Sequence, residues 1–207
     1  MSDTLVPLDP QSAGPDDSGP RSGRSRIAPF IALALAVIVG ALFVVLAGSD
    51  PATDDTIDTS LENQAAPVAQ STTLDGQAFD LSRRKGSWVV LNFFDPTCVP
   101  CVNEHPQLVT FAQQQRELVD GAELYTIIDM VLSDGSDQSV RDFFAQNGGD
   151  WPVVSDPDGS ISVAFGVAKV PETWIIDPDG IIRKRFGGEI TADGLAAWVQ
   201  RLRELRG

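Results

Sequence analysis

Hydrophobic and polar positions divide the chain into two unlike parts. Ile27 to Ala47 reads IAPFIALALAVIVGALFVVLA, an apolar run with no charged or strongly polar side chain. At about 1.5 Å per residue, a helix of this run reaches across the ~30 Å hydrocarbon core of a bilayer. From Gln70 onward the pattern is that of a folded domain. Ser71 to Leu74 and Gln77 to Leu81 flank Asp75-Gly76, a hairpin signature. Trp88 to Phe94 (WVVLNFF) is almost continuously apolar, as a strand buried on both faces requires. Pro100 opens a helical pattern that runs to about Val119, with Leu108, Val109, Phe111 and Ala112 inward and Pro106 expected to kink it.

Leu124 to Met130 predicts a second buried strand. Ser136 to Asn147 predicts an amphipathic helix with Val140, Phe143 and Phe144 inward, stopped by Gly148-Gly149. A short strand over Trp151 to Ser155 and a brief helix over Ser160 to Phe165 follow. Thr173 to Asp177 and Ile181 to Phe186 form a hairpin around Pro178-Asp179-Gly180. Thr191 to Leu205 closes the chain as a helix with Leu195, Trp198, Val199 and Leu202 at core spacing. The order predicts an α/β domain: a parallel strand pair built by a crossover, with an antiparallel hairpin completing the sheet.

The flanks of the apolar run give it a direction. Residues 1–26 are rich in Pro, Gly, Ser and Asp and read as a disordered tail ending in Arg21, Arg24 and Arg26, whereas Asp50, Asp54 and Asp55 follow the run. The positive-inside rule puts the N-terminus in the cytoplasm and the rest outside, so residues 27–47 are expected as a transmembrane anchor in a cell membrane. A cleaved signal peptide is the competing reading, with Val45-Leu46-Ala47 as the cleavage site; the run is longer than a usual signal core. Residues 48–69 are polar and aperiodic and are expected as a flexible extracytoplasmic linker to a domain over 70–207.

A length of 207 residues suits one domain with extensions. The net charge of −14 excludes a basic face for nucleic-acid phosphates. Cys98 and Cys101 are the only cysteines, so there is no disulfide framework. A bridge closing so short a loop removes little unfolded-state entropy and is a poor staple. Zinc would need Cys98, Cys101 and the sole histidine, His105, plus a fourth ligand at suitable spacing, which is missing. A Cys-x-x-Cys after a strand and at a helix start instead suits redox chemistry.

Val90-Leu91-Asn92-Phe93, Cys98-Val99-Pro100-Cys101, Glu104-His105-Pro106, Gly166-Val167, Val170-Pro171-Glu172-Thr173 and Ile176-Asp177-Pro178-Asp179-Gly180 occur in one order. Over about residues 68 to 206, this set resembles the TlpA/ResA/DsbE-like (CcmG-like) family of membrane-anchored thiol–disulfide oxidoreductases. The resemblance implies a thioredoxin-like fold with an N-terminal β-hairpin extension, preceded by one transmembrane helix. One departure is clear: where members carry Trp-Ala-x-Trp, this chain has Phe94-Asp95-Pro96-Thr97, which removes apolar surface beside Cys98.

Cys98 is the expected attacking thiol, its thiolate favoured at a helix N-terminus, with Cys101 as the resolving thiol. Many thioredoxins place a buried aspartate where this chain has Asn92; Glu104, on the same helix face as Cys101, is the expected substitute acid. Pro171 matches a cis-proline that exposes the backbone of Val170 to a substrate strand. Val99, Pro100, Val170, Pro171, Glu172 and Thr173 are thus the expected substrate-binding positions. His105 reads as a partly exposed helical residue without a role, and Asp95 as either a turn former or a charge tuning the site.

No cofactor is implied. The expected activity is reduction of extracytoplasmic disulfides, with apocytochrome c or one of its maturation factors as substrate and a membrane electron donor of the thiol-relay type. A disulfide-forming oxidant and a copper metallochaperone are the alternatives.

Overall fold

The computed structural model describes residues 28–47, 60–129 and 136–206. The expected tail over 1–26, most of the linker and Met130 lie outside them. The chain separates into two compact units, at Met1–Pro51 and Ala52–Gly207. In the first, Ala28–Ala47 forms helix α1, 20 residues with no acidic side chain in its first turn and no basic one in its last. Side chains of α1 are described only at Phe30, Ile31 and positions 33–41, all exposed. Among the described residues no helix is long and apolar enough to cross a membrane.

The second unit is built on β3, Val89–Phe94, every residue of which is buried. β3 pairs in parallel with β4, Glu123–Asp129, and β4 in parallel with β5, Val153–Asp156. On its other edge β3 pairs antiparallel with β6, Glu172–Ile176, which pairs with β7, Ile182–Gly187. The hairpin of β1, Gln70–Thr73, and β2, Ala78–Asp80, joins the far side of β5 through Thr72 and Thr73. The result is one mixed seven-stranded sheet in the order β2-β1-β5-β4-β3-β6-β7. The expected parallel pair is therefore a parallel trio, and the N-terminal hairpin extends its sheet.

Alternation along β3 assigns the two faces. Val89, Leu91 and Phe93 point into one core with Phe79, Tyr125, Ile127, Phe165 and Trp174. Val90 points into the other with Phe111, Leu124 and Ile175. That second core is roofed by α2, Val99–Arg116, and α5, Ala192–Arg206, through Leu108, Leu195 and Val199. Asn92 shares Val90's face and is wholly buried, so a polar group sits beneath α2 by strand geometry alone. Helix α3, Asp137–Asn147, and the short α4, Ser160–Phe165, complete the unit.

The folded unit begins earlier than residue 70. Asn63 donates its amide to Ile182 O, Ala66 donates to Gly180 O, and Ala69 is 2% exposed. Leu61 and Ala66 pack on the first core. Residues 60–69, expected as the end of a flexible tether, thus hold a backbone-bonded strap, with 63–66 against 180–182 at the start of β7 and the Ala69 carbonyl accepting from the Leu81 amide.

Candidate active site

The turn between β3 and α2 brings the redox pair to the end of the sheet. Asp95 accepts from the Thr97 amide at 2.7 Å and the Thr97 hydroxyl at 2.8 Å, and its carbonyl accepts from the Cys98 amide at 3.2 Å. Asp95 is therefore the turn former of its two readings. Cys98 takes the N-cap position of α2 with extended backbone (φ −78°, ψ 113°), and its sulfur lies 3.3 Å from the Cys101 amide. Cys98 and Cys101 are disulfide-bonded. Cys98 is half-buried and Cys101 sealed, packed with Phe94, Ile128, Val140 and Val153. Val99, 69% exposed, and the exposed Pro100 flank the opening. An amide aimed at Cys98 and the positive end of α2 favour a thiolate there once the bond is reduced.

Glu104, 1% exposed, lies deeper on α2. One carboxyl oxygen accepts from Asn92 Nδ2 at 3.2 Å, and the other from the Ile190 amide at 3.3 Å. Asn92 Nδ2 also donates to Thr173 Oγ1 at 3.1 Å. Burial raises the Glu104 carboxyl from its ordinary 4.5 to about 8; the Asn92 and Ile190 donors oppose the rise and the Glu189 charge adds to it. An acid held there keeps a proton at neutral pH yet releases it at little cost.

Facing the pair, the Val170–Pro171 bond is cis. Val170 O lies 3.5 Å from Cys98 Sγ, a contact that becomes a hydrogen bond only when the sulfur carries a proton. Val170 is half-buried and Pro171 buried. Two expected substrate-binding residues are placed otherwise. Glu172, 1% exposed, is paired with Arg185, and Thr173, 0% exposed, is bonded to Asn92. Alternation along β6 turns the two side chains to opposite faces of the sheet, and both faces are covered. Four expected contact positions remain at or beside the opening: Val99, Pro100, Val170 and Pro171.

His105 corrects the expectation of a partly exposed helical residue. It is 1% exposed, boxed by Phe94, Phe143, Phe144 and Trp151 with ring centroids 4.8–5.9 Å away. Its Nε2 lies 2.8 Å from Gly148 O, and burial lowers its pKa from 6.5. The inward Phe143-Phe144 pair was the sequence signal for this box, but only the docking of α3 onto α2 closes it. Among the described residues no three His, Cys, Asp or Glu side chains converge as a metal site.

A Cys-x-x-Cys disulfide at a helix start, opposite a cis-proline on a mixed sheet, defines a thioredoxin-fold thiol–disulfide oxidoreductase. The chain belongs to the AhpC/TSA family, whose pattern matches residues 63–185. It is 32% identical over 173 residues to the thiol:disulfide interchange protein HelX of Rhodobacter capsulatus, covering 82% of this chain and 91% of that protein. It is 30% identical over 137 residues to the thiol-disulfide oxidoreductase ResA of Bacillus thuringiensis subsp. konkukian, covering 66% of this chain and 76% of ResA. The crystal structure of StoA from Bacillus subtilis matches with a TM-score of 0.57 at 26% identity, over 65% of this chain and 97% of StoA.

Proposed function

We propose that the protein reduces disulfides outside the cytoplasm while tethered to a membrane, a reading supported by the uncharged apolar sequence over residues 27–47. The observation that carries the chemical assignment is the asymmetry of the pair: Cys98 is half-buried beside the Val170 carbonyl at 3.5 Å, and Cys101 is sealed beneath it. In the reduced protein the Cys98 thiolate attacks one sulfur of a substrate disulfide. That bond breaks, and the departing substrate sulfur takes a proton. Cys101 then loses its proton and attacks Cys98 Sγ, which releases the second substrate sulfur and forms the Cys98–Cys101 bond. Two electrons pass to the substrate. Glu104 serves as the proton store for Cys101, because a buried acid titrating near about 8 exchanges protons in either direction. An extended substrate segment pairs with the Val170 backbone and covers Val99 and Pro100.

Apocytochrome c, or a factor that matures it, is the substrate we favour. Haem attachment requires a free Cys-x-x-Cys-His pair, which an oxidising compartment would lock. Pro171-Glu172-Thr173 and the proline between the cysteines support this choice through the family resemblance. Arg21, Arg24 and Arg26 before α1, with Asp50, Asp54 and Asp55 after it, support an N-terminus in the cytoplasm and a catalytic domain outside. A membrane thiol relay then re-reduces the pair. The reduction potential tests the direction of electron flow. A value near about −270 mV is expected, and one near about −120 mV makes the protein an oxidant instead.

A further inference from the structure

One side chain behind the site holds both ends of the loop that carries the cis-proline. Arg185 on β7 is buried and donates from Nε to Glu172 Oε2 at 3.0 Å. Its Nη2 donates to Glu172 Oε1 and Oε2 at 2.8 Å each, and also to the Gly166 carbonyl at 3.2 Å. The guanidinium lies over the Trp174 ring, 4.8 Å from its centroid. Gly166 is the left-handed cap that ends α4 (φ 65°), and Glu172 is the first residue of β6. The two residues bracket 167–171, the segment containing Val170 and Pro171. A further tie comes from the residue after β7: the Gly188 amide donates to Pro171 O at 2.9 Å.

We propose that Arg185 is a positioning residue for substrate: by gripping Glu172 and Gly166 together, it holds the Val170 backbone in register with Cys98 for a peptide to pair. The inference rests on the reading that substrate pairs at Val170. The geometry is specific to arginine. A planar fork engages both carboxylate oxygens and still reaches a third acceptor while stacked on an aromatic face. Lysine, a point donor on a flexible stem, cannot grip both loop ends in that way. The pair also accounts for a buried acidic residue beside the site that has no access to substrate.

The test compares two probes on the reduced full-length protein: a short peptide carrying an oxidised Cys-x-x-Cys-His, and a small aromatic disulfide with no peptide backbone. Arg185→Lys is expected to slow reduction of the peptide about tenfold or more and to leave the aromatic disulfide within about twofold of wild type. Because Lys could leave Glu172 poorly paired and unfold the chain, Glu172→Leu/Arg185→Leu is measured beside it. That variant removes both charges, keeps apolar volume, and is expected to fold and show the same selective loss. Unchanged peptide rates in the folded double variant overturn the proposal, as do rates that fall equally for both probes. The underlying reading is checked separately with a peptide N-methylated at the amides flanking its first cysteine. Wild type is expected to reduce it more slowly, and equal rates would overturn strand pairing at Val170 itself.

Discussion

At the scale of single residues, Glu104 and His105 pull stability in opposite directions with pH. Glu104 folds with its carboxyl raised by burial to about 8 from 4.5. The folded state therefore holds a proton that the unfolded state gives up. Its contribution is fully present below about pH 4.5 and is lost as pH rises through about 8, a loss of order a few kcal/mol. Glu104→Gln should flatten this alkaline limb in urea midpoints, and should slow thiol exchange while altering its pH profile. An unchanged limb and profile would remove Glu104 from proton transfer. His105 folds with its pKa lowered by burial from 6.5, so its contribution is present above that value and lost as pH falls below it. His105→Phe keeps a ring in the aromatic box and should remove the loss of stability as pH falls below 6.5, read by the same midpoints. The sequence made Cys98, Cys101 and Glu104 legible through spacing on one helix. It did not reveal that His105 is buried, because its box is assembled from β3, α3 and Trp151, which are distant in sequence.

At the scale of elements, the strands were legible wherever an apolar run had to be covered on both faces, as in β3 and β4. Pairing partners were less so. Nothing in Gln70–Thr73 indicates that it lies beside β5, since its pattern is half-exposed and its partners, Val154 and Ser155, are far along the chain. Two glycines separate backbone strain from steric collision. Gly166 ends α4 at φ 65° with open space where a Cβ would stand, so Gly166→Ala should cost only the left-handed penalty, about 1–2 kcal/mol. Gly121 has no positive φ, but a Cβ there would collide with the Gln115 carbonyl. Gly121→Ala should therefore cost more, about 3 kcal/mol, because backbone must move. Denaturant midpoints of the two variants check the order, and the reverse order would contradict it. Gly166→Ala also disturbs one of the two loop ends that Arg185 holds, so peptide reduction should fall further than stability alone explains.

At the scale of the whole molecule, the strap over 60–69 moves the boundary between tether and domain. Two truncations, beginning at residues 60 and 70, measure what the strap contributes. A chain beginning at 70 loses the Leu61 and Ala66 contacts and the bonds to Gly180 and Ile182, and should be less stable by at least about 2 kcal/mol. Composition misled here, because a Pro- and Asp-containing polar stretch reads as linker although residues 63–66 within it pair with residues 180–182. The central claim is that Cys98 alone receives substrate and Cys101 only resolves, and capture of the mixed disulfide tests it most directly. Reduced Cys101→Ala, mixed with an oxidised Cys-x-x-Cys-His peptide, should accumulate a one-to-one adduct on Cys98 by intact mass, while Cys98→Ala accumulates none on Cys101. Absence of the Cys98 adduct, or equal capture on either cysteine, would contradict the account.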